Sequence, residues 1–577
     1  MPDLSAAILT HLKGLYGDTE GARAFHRLRK LTDRQRGQLR QPFPAPALSE
    51  HDAILITYAD QLREAGTPPL RTLAAFCERH LVGLVNGVHL LPFYPSSSDD
   101  GFSVIDYRAV DPLLGEWQDI ARIGSRFRLM FDAIINHASA RSGWFQAFLQ
   151  DDPHYRDFFI TVEGVPDLSH VVRPRTHPLL TRFEAAGGPR QVWTTFSTDQ
   201  IDLNYHSPDL LLEILDTLLF YAGQGAEFIR LDAIAYLWKE IGTPCIHLPQ
   251  THRIIQLFRT VLDEVAPHVM LITETNVPHA DNLSYFGDGT NEAQLVYNFA
   301  LPPLVLHTLQ TGSARALTAW AAGLRLPTDR ATFFNFLASH DGVGINPVRG
   351  ILAGDEIDSL VERITRRGGL VSYKRDPGGG ESVYELNVNY FDALSDLTGG
   401  ERIETQIERF IAAHAIMLSL VGVPGVYFHS LFGSRGWPEG VALTGMNRSL
   451  NRQKFAADGF ERELADASSL RHHIFHRLAR LLRARASHPA FDPHGGQRVL
   501  DAESAVFALQ RGKRGADGVL CLQNVSSRSQ TLKLDWREIF GAAAGGARDL
   551  ITGRIVLPPK GQLALEAYET LWLTPTP

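Results

Sequence analysis

The feature of this 577-residue sequence that most restricts its fold is a succession of eight short apolar runs rich in β-branched and aromatic residues. They lie at 53–58, 87–93, 128–136, 226–234, 269–274, 294–299, 332–339 and 425–429. Longer amphipathic segments separate several of them. One, at 209–222, has Ser207 as a helix N-cap and Pro208 at the first helical position, where its missing N–H costs nothing. Strand-like runs alternating with helices predict parallel strands joined by crossover helices, and eight such units predict an α/β fold closed as a (β/α)8 TIM barrel.

The spacing of the runs is uneven. Between the third and fourth lie about ninety residues, too many for a connecting loop, and the Pro-, Gly- and aromatic-rich stretch 138–200 predicts an inserted subdomain. A second long gap, 342–400, carries Asp376-Pro377-Gly378-Gly379-Gly380 and predicts a mobile lid subdomain. The barrel is thus expected to occupy 51–137 and 201–490. Short β-like runs at 519–524 and 531–536 place a C-terminal antiparallel β domain at 491–577. Residues 1–50 read as a helical extension that ends at Gln41-Pro42-Phe43-Pro44-Ala45-Pro46, a stiff linker because proline cannot continue a helix.

Composition excludes several functional classes. Lys and Arg number 56 against 64 Asp and Glu, a net charge of −8, and no basic run is present to attract a nucleic-acid backbone or an anionic membrane. Neither a signal-peptide pattern at the N-terminus nor an 18-residue apolar stretch occurs, which predicts a cytoplasmic protein with no membrane partner. Cys77, Cys245 and Cys521 are odd in number and widely spaced, so they are expected to be reduced.

In a βα barrel, reactive groups project from the C-terminal ends of the strands. Four ends are loaded: Asn136-His137 after the third run, Arg230-Leu231-Asp232 on the fourth, Glu274 on the fifth and His340-Asp341 on the seventh. Three carboxylates at one barrel mouth suit displacement at a sugar anomeric carbon, where a retaining mechanism needs a nucleophile and an acid/base. Arg230, two residues before Asp232, points to the same side of its strand and would keep that carboxylate ionised. For Glu274 to hold a proton near neutral pH its pKa must be raised, by burial and by Asp232 and Asp341. The histidines and carboxylates lack metal-ligand spacing, and the chemistry needs no metal or other cofactor.

These four segments, in this order, resemble the conserved regions of the α-amylase superfamily, glycoside hydrolase family 13. The resemblance runs from about residue 52 to the end of the chain. It implies that Asp232 is the nucleophile, Glu274 the acid/base and Asp341 the transition-state stabiliser, with His137, Arg230 and His340 around the glucosyl ring. A closer resemblance, carried by residues 55–60, 87–93 and Lys239-Glu240-Ile241-Gly242-Thr243, is to the sucrose phosphorylase subgroup. It implies that Asp99 and Arg452 bind the far edge of the glucose, that Phe102 and Phe196 flank the ring, and that Tyr236 and Tyr384 contact substrate. Arg173-Pro174-Arg175 resembles the loop whose second arginine binds phosphate, which assigns phosphate to Arg175. The implied small molecules are a glucoside, inorganic phosphate and glucose 1-phosphate, handled by a monomer or homodimer.

Departures from the sucrose-specific pattern bear on the acceptor. Ser382-Val383-Tyr384-Glu385 stands where Asp-Leu-Tyr-Gln contacts fructose or phosphate, Asn276 replaces a histidine two residues after the acid/base, and Val172 replaces a tyrosine three residues before Arg175. With the N-terminal extension and Tyr384-Glu385-Leu386-Asn387, the sequence is more similar to the glucosylglycerate and glucosylglycerol phosphorylases of the subgroup. Glycerate would want a cation beside the acceptor, for which Arg173, His177, Lys374 and Arg375 are available, whereas Glu385 suits hydroxyl donors. The two lid cations favour glycerate; glycerol, fructose and hydrolysis by water are the alternatives.

Overall fold

A computed structural model describes residues 4–576 except 38, 40–46, 377–378, 397–399, 514–516, 541–545 and 558–561. The proline linker expected at 41–46 lies outside the described residues. So do Pro377 and Gly378 of the glycine-rich lid loop.

The barrel strands are β1 (Ile54–Thr57), β2 (Gly87–Leu90), β3 (Arg128–Ala133), β4 (Ala226–Leu231), β5 (Met270–Thr273), β6 (Leu295–Tyr297), β7 (Thr332–Asn335) and β8 (Val423–Tyr427). Each pairs in parallel with its two sequence neighbours, and β8 pairs with β1, so the sheet closes. All residues of β1, β2 and β3 are buried, because the packed barrel interior takes one face and the helical ring the other. The first seven strands are shorter than the apolar runs that announce them, and the eighth is shifted. β3 stops at Ala133, and His137–Ser139 leaves the barrel to pair antiparallel with Gln200–Asp202. β8 begins at Val423, two residues before the expected start, and Phe428–Leu431 is already helical.

Between β3 and β4 the chain forms a short helix (Gly143–Leu149) and the antiparallel pair Leu180–Phe183 with Arg190–Trp193. After β7 a three-stranded antiparallel sheet of Val343–Gly344, Glu381–Asn387 and Leu370–Arg375 stands over the barrel mouth. Two glycines permit its close approach. A Cβ on Gly342 would stand 2.5 Å from the Leu386 carbonyl, and one on Gly344 2.4 Å from the Asn276 amide oxygen.

C-terminal to the barrel, six strands form an antiparallel sheet of period-two character. Phe507, Leu509 and Cys521 turn toward the barrel core, while Val506, Ala508, Leu520 and Leu522 face a second, separate apolar cluster. Phe491 seats against Trp572 at 4.8 Å between ring centres and fastens the two bodies together.

At the other end, α1 (Leu4–Arg36) is broken at Gly17, whose φ of 77° lets two helical segments fold onto each other. Its apolar side, including Ile8, Leu12, Ala24 and Leu28, is buried. It packs on α2 (Pro208–Gly223) and α3 (Pro249–Val265), the helices on either side of β4. Ser207 does cap α2, accepting from the Leu210 N–H at 3.4 Å. Arg34 reaches Asp216 of α2 at 2.9 Å, and both Arg29 and Arg36 pair with Glu264 of α3.

Cys77, Cys245 and Cys521 are buried and unpaired. Among the described residues no helix is long and apolar enough to cross a membrane.

Candidate active site

The strand ends assemble a charged cluster around Arg230. This guanidinium is buried, level in the sheet with Asp132 on one side and Ile272 on the other. Its Nη1 donates to Asp132 and, at 2.7 Å, to Asp232, while Nη2 lies 3.9 Å from Glu274. Asp132 is held in turn by His89 at 2.7 Å. Both are polar residues set inside apolar runs. A buried charge is tolerable only when paired and hydrogen-bonded, and here one cation serves three carboxylates. Burial alone would depress the Arg230 pKa; Asp132, Asp232 and Glu274 outweigh it and fix the positive charge.

Immediately after Asp232 the backbone turns at Ala233, a non-glycine residue at φ 49° and ψ 34°. Such a conformation costs roughly 1–3 kcal/mol and persists where surrounding structure enforces it. The strained turn aims the Ala233 N–H at Glu274 Oε2, 3.0 Å away. Nucleophile candidate and acid candidate are thereby tied through one backbone group.

Asp232, Glu274 and Asp341 all line one cavity. Around them stand Asp99, Phe102, His137, Arg175, Phe196, Tyr236, His340 and Tyr384, each expected from the sequence. Arg230, Glu385 and Arg452 lie one layer behind. Arg452 donates to the His340 carbonyl at 2.8 Å and to Asp99 at 3.2 Å and Asp100 at 2.6 Å. Asp99 and Asp100 reach it through a turn in which both have positive φ, 51° and 48°. Glu385 accepts from Gly342 N at 3.0 Å and from Arg448 Nε and Nη2 at 3.1 and 2.7 Å, and it lines the adjoining outer cavity rather than the inner one.

Phe102 stacks on His340 at 4.6 Å with the rings nearly parallel, and Phe196 packs against His137 at 5.3 Å and Tyr236 at 5.5 Å. His137 is bound at Nε2 to the Phe102 carbonyl, 2.9 Å away, and burial holds both His137 and His340 below the ordinary imidazole value, hence neutral. The result is a cavity with aromatic faces, neutral imidazoles at its edge and carboxylates at its floor. That suits a sugar ring, which presents apolar faces and a hydroxyl rim.

The three carboxylates differ in their electrostatics. Burial, reinforced by Asp232 and Asp341 and opposed by Arg230, pushes Glu274 up to about 7. Burial also raises Asp232 above the ordinary carboxylate value, with Arg230 opposing the rise. For Asp341 burial is outweighed by Arg448, Arg452, Arg230 and Arg175, which hold its carboxyl below the usual range. A group poised to carry a proton at neutral pH beside Asp341, favoured as the anion, and Asp232, held toward ionisation against its burial by the Arg230 ion pair at 2.7 Å, is a division of labour that suits retaining glycosyl transfer.

Several contributors had no role assigned from the sequence. Arg448 lines the cavity with Nη1 2.6 Å from Asp341, and Gln200 donates to the Phe102 carbonyl at 3.1 Å. Lys239, in the stretch 239–243 that follows the fourth strand, is buried between Asp202 and Asn136, 2.7 Å from each. Asp202 also accepts from Thr195 N at 2.6 Å, so Lys239 joins β3, β4 and the inserted subdomain behind His137.

Arg173, His177, Lys374 and Arg375 do not line the cavity. Arg173 donates to the His177 carbonyl, the His177 ring contacts the Thr194 carbonyl at 3.0 Å, and Lys374 lies 3.8 Å from Asp376. A backbone bridge between Arg173 and Arg375 instead joins the inserted subdomain to the lid.

Comparison with known proteins agrees with this geometry. The family described as Alpha amylase, catalytic domain, matches residues 82–341. The glucosylglycerate phosphorylase of Spirochaeta thermophila is 50% identical over 98% of this chain and 97% of its own length. That of Allomeiothermus silvanus is 52% identical over 92% of this chain and 94% of its own. Among solved structures, sucrose 6F-phosphate phosphorylase from Thermoanaerobacter thermosaccharolyticum superposes with a TM-score of 0.73 at 26% identity, covering 84% of this chain and 96% of that one. A closed parallel barrel, a carboxylate cluster on its strand ends and identity along nearly the whole length place this chain in the α-amylase family, within its sucrose phosphorylase group of glucoside phosphorylases.

Proposed function

We propose that this protein transfers a glucosyl group from glucosylglycerate to inorganic phosphate, with retention of configuration, giving α-glucose 1-phosphate and glycerate. Asp232 attacks the anomeric carbon as Glu274 delivers a proton to the departing glycerate oxygen, forming a covalent glucosyl ester. Phosphate then attacks the same carbon, the bond to Asp232 breaks, and Glu274 takes up any proton the nucleophile releases. Asp341, ionised beside Arg448, stabilises positive charge on the ring in both steps.

The observation that carries this reading is that Asp232, Glu274 and Asp341 share one cavity with a guanidinium, Arg175, that has no carboxylate within ion-pair distance among the described residues. Water needs no such cation, whereas an arginine fork matches phosphate oxygens in pairs. Identity of 50% and 52% to glucosylglycerate phosphorylases supports glycerate as the aglycone.

The test is a phosphorolysis panel of glucosylglycerate, glucosylglycerol and sucrose, read as glucose 1-phosphate release. Glucosylglycerate should be the best substrate. Sucrose in first place would refute the aglycone assignment, and free glucose formed at the same rate without phosphate would make the protein a hydrolase.

A further inference from the structure

Resting on the proposed phosphorolysis, we infer that Arg175 is a shared anchor for two anions in turn: the carboxylate of the three-carbon hydroxy acid as it leaves, and the phosphate that replaces it. Whichever hydroxyl of glycerate carries the glucose, at most two carbons separate that oxygen from the carboxylate. An aglycone whose oxygen meets Glu274 therefore brings its own negative charge close to Glu274, and Asp232 and Asp341 face the same cavity. Without a cation beside it, that carboxylate would be repelled.

Arginines around the cavity are nearly all committed. Arg230 serves Asp132 and Asp232, Arg448 serves Asp341 and Glu385, and Arg452 serves Asp99 and Asp100. The loop and lid cations Arg173, His177, Lys374 and Arg375 do not line the wall. Arg175 does. It rests over the rings of Phe196 at 5.7 Å and Tyr384 at 5.2 Å, and its Nη1 donates to the neighbouring Pro174 carbonyl at 3.1 Å. Aromatic support of this kind fixes a guanidinium in place while leaving N–H groups for a ligand.

Arg175 also lines a second, open outer cavity together with Ser98, Ser372 and Arg448, where Glu385 is already paired with Arg448 and Asp99 with Arg452. Arg175 therefore stands where the reaction chamber meets the outer cavity. One guanidinium at that junction can hold the departing carboxylate or the arriving phosphate, not both.

The experiment uses α-glucosyl fluoride as donor, so that the glucosyl ester on Asp232 forms with loss of fluoride and with neither anion present. Glycerate, its neutral amide, glycerol and phosphate are then compared as acceptors. In each case the acceptor oxygen bonds to the anomeric carbon, the ester bond to Asp232 breaks, and an acceptor hydroxyl gives its proton to Glu274. The unaltered protein should prefer glycerate over the amide by roughly ten- to a hundredfold, the worth of a hydrogen-bonded charge. In Arg175→Ala that preference should fall to near unity, and the advantage of phosphate over glycerol should fall with it. Arg175→Lys should retain part of both.

Ratios within one preparation, referred to glycerol, are insensitive to partial misfolding, and the amide comparison needs no variant. A preference for glycerate that survives Arg175→Ala, loss of the phosphate advantage alone, or equal use of glycerate and amide by the unaltered protein would each overturn the inference. Failure of the unaltered protein to use any three-carbon acceptor would instead overturn the proposed function.

Discussion

Arg448 sets its Nη1 2.6 Å from Asp341, and its other edge grips Glu385 at 2.7 Å. One side chain thus bridges a carboxylate of the reaction chamber and a carboxylate of the lid strand Glu381–Asn387. The Glu385 side chain, expected to meet the acceptor, is occupied in holding this bridge and the Gly342 N–H. The lid strand and Asp341 thus share a single guanidinium.

Replacing that guanidinium should therefore act on Asp341. Arg448→Met removes the largest influence holding the Asp341 carboxyl below its usual range, so the acid limb of the kcat profile should move to higher pH. Turnover should fall by about 10²–10³-fold, the loss typical of removing a charge-stabilising group, with Arg448→Lys intermediate. A pH profile of kcat measures both, and an unmoved acid limb would show that the bridge is purely architectural.

The two central carboxylates should separate by leaving group. Asp232→Asn ought to lose about 10⁴-fold or more with every donor, because no ester can form. Glu274→Gln should be severely impaired with glucosylglycerate yet far less so with α-glucosyl fluoride, whose leaving group needs no proton. Equal impairment with both donors would remove Glu274 from the acid role.

With Glu274 near 7, its protonated fraction declines as pH rises through that value, so release of glycerate should slow on the alkaline side. Stability follows the same proton. A carboxyl whose folded pKa lies above the unfolded value favours the fold at low pH and loses that contribution as pH climbs from 4.5 through 7. Glu274→Gln should accordingly gain Tm relative to the unaltered protein above pH 7 and lose the gain toward pH 4.5. Parallel melting curves across that range, showing a constant difference, would falsify the assignment of the raised pKa.

Lys239→Met addresses the buried pair behind His137. Losing the ammonium strands Asp202 without its partner, and breaking a buried pair from one side costs about 3–5 kcal/mol. Denaturant unfolding should show the loss directly. The double variant Lys239→Met/Asp202→Asn should recover part of it, since no uncompensated charge remains.

Removing α1 is expected to matter through packing. Its contacts fall on the helices before and after β4, the strand that carries Arg230 and leads into Asp232. A chain starting at residue 47 should melt at lower temperature and lose kcat with little change in phosphate KM. An unchanged Tm would contradict a clamping role.

Periodicity along the chain was enough to predict the barrel, since eight runs of strand character between helical segments have few other ways to bury both faces. Polar residues at the ends of those runs likewise pointed to Asp232, Glu274, His137, His340 and Asp341, because strand ends in such a barrel converge on one mouth. Asp132 and His89 carried a weaker signal, charge inside an apolar run, legible only once Arg230 is known to lie beside them. Nothing in 447–452 or 381–387 predicted which guanidinium would pair with which carboxylate. Arg448, Arg452, Asp99, Glu385 and Asp341 come from four separate segments, and their partners were chosen by which charges the fold buries together. Local sequence sets the identity and side of each reactive group; pairing depends on distances between remote segments, and only the closed tertiary structure fixes those.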